Sequence, residues 1–171
     1  IGDFDVAEIE AKIKKQFSNI PAVKNPLKRV ITEVPTNKDM LYSLSMHKEI
    51  STPSIAFNIT HPKNSKTQTV ADLKKSFLTN ITTSLVSSRL REISQKPTSP
   101  FLYAGLSYRS LSRTNNSLSL SLAPKPGKQQ EAFKAAVTEV YRAVKFGFNK
   151  AELDRTIAML TSSYEGYLKR I

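Results

Sequence analysis

The stretch from Thr69 to Pro100 constrains this chain more than any other. Val70, Leu73, Phe77, Ile81 and Leu85 recur at steps of three or four residues, so they share one face of a helix. Thr69 with Asp72 three residues on is a capping-box start. Pro97 and Pro100 forbid continuation. A long amphipathic helix needs a surface to cover, and the runs on either side supply one. Val30 to Val34 reads as a short edge strand ended by Pro35. Tyr42, Leu44 and Met46 alternate with Ser43, Ser45 and His47, and Ile55, Phe57 and Ile59 alternate with Ala56, Asn58 and Thr60. Both patterns predict half-buried strands.

Beyond the central helix, Leu102, Ala104, Leu106 and Tyr108 alternate, as do Leu118, Leu120 and Leu122 with their intervening serines. Arg113-Thr114-Asn115-Asn116 between them suits a hairpin turn. Three more helices are predicted. The first runs from Val6 to Ile20 with Val6, Ile9, Ile13, Phe17 and Ile20 on its apolar face, Asp5 as N-cap and Pro21 as stop. Another carries Phe133, Val137, Val140 and Val144, with Gly147 at its C-terminal cap. The last starts at Asn149 and Glu152 and carries Leu153, Ile157, Leu160, Tyr164, Leu168 and Ile171. The segment His61 to Gln68 is the loop entering the central helix. The order predicts an α+β sandwich: a largely antiparallel (mixed) sheet of five to six strands with helices on one face.

At 171 residues the chain suits a single domain, residues 1–171, with residues 1–4 the end of an interdomain strand or linker. The final helix is still periodic at Ile171 and the chain starts without Met, which predicts a piece of a longer polypeptide. No signal-peptide pattern opens it, and no apolar run approaches the ~20 residues of a membrane span. The absence of cysteine excludes disulfides, thiolate zinc sites and cysteine catalysis. The net charge of +12 favours acidic partners, nucleic acid among them, but no block of five or six like charges concentrates it.

Catalytic groupings are missing as well. The two histidines, His47 and His61, have no ligand partner at helical spacing, and H-x-x-E-H is absent. No serine sits in G-x-S-x-G, and the serines at 117, 119 and 121 read as the wet face of a strand. Asp5, Glu8, Asp72 and Glu152 stand at helix starts, where they satisfy free N–H groups. Proline-flanked edge strands remain as a feature: such edges either take up an extended peptide or are blunted against aggregation.

Four pieces in order resemble the pitrilysin/insulinase-like zinc metallopeptidases, the family that includes the mitochondrial processing peptidases. The opening I-G-D-F-D-V-A-E-I-E-A-K-I-K-K-Q-F-S-N-I-P resembles the passage between two of its structural domains. L-V-S-S-R-L-R-E-I resembles the family's S-R-L-F-x-E-I-R, F-L-Y-A-G its G-L-A-Y strand, and G-F-N-K-A-E-L-D-R-T its G-x-T-x-x-E-L-x-R-A helix. Together they span almost the whole chain.

The resemblance implies the second, zinc-free domain of a peptidase half, in which two halves close around a peptide. It implies a zinc site of H-x-x-E-H type upstream of Ile1, no catalytic or metal-binding residue in this segment, a peptide or unfolded polypeptide as substrate, and contacts to other domains or a partner half. Active members carry an Arg and a Tyr that support substrate in a domain of this type in their other half. Ser94 stands nearest to that Arg here, with Arg91 close by, and Tyr103 nearest to the Tyr. These three are the candidate substrate-binding residues, although Tyr103 reads equally as a packed strand residue. A bacterial envelope or periplasmic location goes with this reading. Two alternatives stand beside it: a stand-alone basic nucleic-acid-binding module, and a domain of an inactive relative that serves as scaffold.

Overall fold

The computed structural model describes residues 2–35, 37–63 and 69–170. The chain divides into two compact units, Ile1–Ile31 and Thr32–Ile171. The first holds one helix, α1 (Val6–Phe17), where the Asp5 carboxylate accepts the Glu8 N–H at 2.8 Å. It ends a turn earlier than the Val6–Ile20 reading, and none of its residues is buried.

The second unit runs β1 (Ile55–Pro62), α2 (Val70–Ser94), β2 (Phe101–Ser110), β3 (Asn115–Pro124), α3 (Gln129–Phe146) and α4 (Lys150–Leu168). Its sheet is antiparallel in the order β1-β3-β2. The α+β class holds, but among the described residues the sheet has three strands rather than five to six. Val30 to Val34 forms no strand. Neither does the Tyr42–Met46 run, whose Tyr42, Leu44 and Met46 are 86%, 85% and 83% exposed instead of half-buried. Alternation makes a segment able to pair, and among the described residues no strand pairs with either of these. Of the loop read at His61 to Gln68, His61 and Pro62 belong to β1, and residues 64–68 lie outside the described residues, as does Ile171.

The three strands match in register, so their alternation lines up in rows. Ile55, Leu122 and Ala104 stand side by side; so do Phe57, Leu120 and Leu106, then Ile59, Leu118 and Tyr108. These rows form one face. The core lies against it: Val86 and Leu90 of α2, Phe101, Ala104, Leu120, Leu122, and the alanines 132, 136 and 143 of α3. The opposite rows are Ala56–Ser121–Gly105, Asn58–Ser119–Ser107 and Thr60–Ser117–Arg109, small or polar throughout. The turn is held by the Ser112 hydroxyl, which accepts the N–H groups of Thr114 and Asn115.

The capping box of α2 is present: the Thr69 hydroxyl accepts the Asp72 N–H at 3.2 Å, and the Asp72 carboxylate accepts the Thr69 N–H at 2.9 Å. The Thr69 N–H and hydroxyl both donate to the Asp72 carboxylate and so lower its pKa. The helix closes at Ser94, before Pro97. Only its second half is core, through Leu85, Val86 and Leu90; Val70, Leu73 and Phe77 are exposed. The faces read for the last two helices shift too. In α3 the buried stripe is Ala132, Ala136, Glu139 and Ala143, while Val137 and Val144 lie outward, Phe133 meets Phe57 edge-on and Val140 is partly packed. In α4 only Thr156 is buried, and Leu153, Ile157, Tyr164 and Leu168 are exposed. Alanine lets a helix approach a sheet closely, so the smaller side chains take the contact and the larger ones point elsewhere.

The two edges of the sheet differ. Along β2, the Ser87 hydroxyl of α2 accepts the Leu106 N–H at 3.0 Å and donates to the Leu106 carbonyl at 3.0 Å. One side chain thereby satisfies both groups that Leu106 turns away from β3. Among the described residues no side chain bonds the outward backbone of β1 in this way.

Candidate functional site

A cavity of about 550 Å³ opens where the second half of α2 meets the α3–α4 turn. Arg89 is its central side chain. The α2 face places it opposite the start of α4, where Glu152 is already fixed as the N3 residue of a capping box with Asn149. The guanidinium donates from Nε and Nη2 to the two Glu152 carboxylate oxygens at 2.8 and 2.9 Å, and from Nη2 to the Gly147 carbonyl at 2.9 Å. Glu139 of α3 stands 3.5 Å from Nη1 and accepts from Arg142 at 3.2 Å. The Phe148 ring lies under the guanidinium carbon, 4.7 Å from its centroid. The bidentate pair and the Asn149 N–H bring Glu152 down to about 2, and the same pair raises Arg89. The charged groups are mutually satisfied, so the cluster locks α2, α3 and α4 together rather than presenting a free reactive group.

Arg89 and Glu139 escape a reading based on apolar periodicity. A signal was present: Glu139 interrupts the alanine stripe of α3, and its side chain is only 8% exposed. A buried carboxylate demands a cation. Glu152 is visible in sequence as a cap, and the structure adds its second role.

Of the three candidate substrate-binding residues, Arg91 and Ser94 share the last turn of α2, where the Ser94 hydroxyl donates to the Arg91 carbonyl at 2.7 Å. Arg91 lines a smaller cavity of about 210 Å³ with Gln95, Arg155 and Met159. Tyr103 lies elsewhere. It alternates with the core-facing Ala104, so it stands on the open polar face, 60% exposed, with its ring across Gly105. The structure brings Arg91 and Ser94 together and keeps Tyr103 on the far side of the sheet.

The donor set of the domain does not fit a zinc ion. The His61 Nε2 is engaged at 2.9 Å with the Tyr108 hydroxyl, which also accepts from Asn116 at 3.1 Å. His47 accepts the Glu49 N–H from an exposed position. Among the described residues no three His, Cys, Asp or Glu side chains form a group able to hold a metal. No helix among them is long and apolar enough to cross a membrane.

The fold is shared with solved proteases. The chain aligns over 99% of its length with the periplasmic protease PqqL from Escherichia coli at a TM-score of 0.73 and 20% identity, covering 19% of that chain. The first half of PqqL gives 0.66 and 22%, with 35% of it covered. A predicted insulinase family protease from Yersinia pestis gives 0.76 and 15%, with 36% covered. The chain therefore spans about a fifth to a third of these proteins. No curated protein sequence matches it. The sequence itself matches the family described as Peptidase M16 inactive domain over residues 1–160. With that match over nearly all of its length, the chain belongs to the peptidase M16 family, as its non-catalytic, insulinase-like domain.

Proposed function

We infer that this domain walls the peptide-binding chamber of an M16 peptidase and helps its halves close on substrate. The observation that carries the reading is the match to the inactive-domain family over residues 1–160. Exposed apolar stripes support it: Val70, Leu73 and Phe77 on α2, and Ile157, Tyr164 and Leu168 on α4, are surfaces for other domains of a longer polypeptide or for a partner half. The hydrolytic zinc site then belongs to another domain of that polypeptide, upstream of Ile1, and residues 1–4 are the end of the interdomain strand or linker that joins the two. The periplasmic neighbour supports an envelope location. Tyr103, on the open polar face, and Arg91 with Ser94, beside the smaller cavity, are the residues assigned to substrate contact.

The test uses the intact polypeptide. Stoichiometric zinc and cleavage of a quenched peptide are expected, with Tyr103→Phe and Arg91→Ala raising KM while leaving zinc content unchanged. An unchanged KM in both variants removes the substrate-contact role. An intact protein without zinc or cleavage turns the reading to an inactive scaffold. The +12 charge favours one further reading, nucleic-acid binding; oligonucleotide affinity that vanishes at ~150 mM salt excludes it.

A further inference from the structure

The smaller cavity, about 210 Å³, lies between α2 and α4. Ser88, Arg91 and Gln95 reach it from one face of α2, at steps of three and four residues, and Arg155, Thr156 and Met159 reach it from α4. A further space of about 120 Å³ shares Ser88, Arg91 and Met159 with it, so the groove continues along α2.

The polar groups of this groove are unpaired. Among the described residues Arg91 and Arg155 have no carboxylate within ion-pair distance, in contrast to Arg89 and Arg142, which are bound to Glu139 and Glu152. Thr156 is only 5% exposed, yet its hydroxyl has no hydrogen-bond partner among those residues. Every fully enclosed side-chain nitrogen or oxygen there has a partner, so this hydroxyl reaches the surface of the cavity that Thr156 lines. A helical threonine ordinarily returns its hydroxyl to the carbonyl four residues back, as Thr79, Thr82 and Thr83 do in α2. Ser88, half-buried on the α2 wall, is without a partner in the same way.

The charges of the wall set the ligand class. Arg89 and Glu152 neutralise each other through their two hydrogen bonds. Arg91 and Arg155 remain, against one exposed carboxylate, Glu92. The surplus is a single positive charge, which suits a monoanion. A carboxylate accepts at both oxygens, and guanidinium forks and hydroxyls donate to it. Leu85 and Met159 supply apolar surface for the chain that carries it. We propose that the α2–α4 groove binds a peptide carboxylate, held by Arg91 and Arg155 with the Ser88 and Thr156 hydroxyls. The inference rests on the assignment of Arg91 to substrate contact and adds Arg155 and Thr156 as specificity-determining residues. Acidic peptides, or peptides ending in a free carboxylate, are then the favoured substrates.

Phenylglyoxal labelling of the intact polypeptide, read residue by residue by mass spectrometry, tests this. The probes are N-acetyl-trialanine with a free carboxylate, the same peptide amidated, and N-acetyl-Ala-Glu-Ala amide. A carboxylate probe should slow labelling of Arg91 and Arg155 roughly threefold or more, while the all-amide peptide should not, and the exposed Arg109 and Arg113 should label unchanged. The first and third probes separate a chain end from an acidic side chain as the source of the carboxylate. In binding titrations Arg155→Met should weaken the protecting peptide roughly tenfold and Thr156→Val roughly threefold, and Glu92→Gln should tighten it. Protection by the amide as strong as by the carboxylates, labelling slowed equally at Arg109, or stronger protection by inorganic phosphate than by either carboxylate peptide overturns the site. Carboxylate protection in the unmodified protein, together with an unchanged KM for peptide cleavage in Arg155→Met, keeps the site and removes substrate contact as its role.

Discussion

Two segments of this domain carry the same pattern and meet different ends. Residues 40–46 read Met-Leu-Tyr-Ser-Leu-Ser-Met, and residues 117–122 read Ser-Leu-Ser-Leu-Ser-Leu. The second is the central strand, paired on both sides, with Leu120 and Leu122 almost fully buried. The first lies in solvent. Alternation states only that a segment can offer one apolar face. Burial of that face depends on a strand to each side and a helix above, and β3 has all three. The contrast repeats inside α2, one unbroken helix whose second half is core and whose first half is not. In both cases equal local patterns have unequal surroundings.

Substitutions can break this contrast. The largest effect belongs to the central strand: Leu120→Ala should destabilise the domain by about 3–5 kcal/mol, measured by urea denaturation, because the cavity would lie between α2, α3 and both neighbouring strands. A loss under about 1 kcal/mol would place the core elsewhere. Next is the charge cluster. Arg89→Met leaves Glu139 and Glu152 facing each other without their shared cation and should cost about 3 kcal/mol. Glu152 also makes a pH limb. Its carboxyl is held down at about 2 against an ordinary 4.5, so its contribution is complete above pH 4.5 and is lost as pH falls toward 2. After allowance for solvent at the cavity mouth this is about 1–2 kcal/mol, and Glu152→Gln should flatten the stability profile across that window.

Thr69→Ala removes the cap at the end of α2 that has the least tertiary support, and about 1 kcal/mol is expected, visible as lost helical ellipticity. Gly105→Ala comes next. Its Cβ would lie 2.6 Å from the Tyr103 hydroxyl oxygen, the far end of a side chain free to swing outward. The expected cost is under about 1 kcal/mol with a change in tyrosine emission, and none in a Tyr103→Ala background. The exposed partner of the comparison gives the smallest effect. Leu44→Ala, at a side chain that lies in water, should cost about 0.5 kcal/mol or less by urea denaturation.

Much of the architecture was legible in the residues. Thr69 with Asp72, and Asn149 with Glu152, announced two helices, and both capping boxes form. The β2–β3 hairpin follows from Leu102 to Leu122, and four quoted sequence pieces carried the family. What stayed hidden depended on distance along the chain. Arg89 meets Glu152 across 63 positions, and no local spacing pairs them. The faces of α3 and α4 were misread because valine and leucine mark a stripe in sequence, whereas alanine and threonine fit the close contact.

The sequence by itself determined where most of the helices start and stop, which segments can be strands, and that cysteine chemistry is missing. Those are properties of neighbours within a few residues, set by caps, proline and side-chain periodicity. Only the tertiary structure decided which alternating segment is buried, which half of α2 is core, and that the Ser87 hydroxyl satisfies the outward backbone of Leu106. Burial and edge pairing require a partner brought from far along the chain, and a local pattern states the need for that partner without naming it.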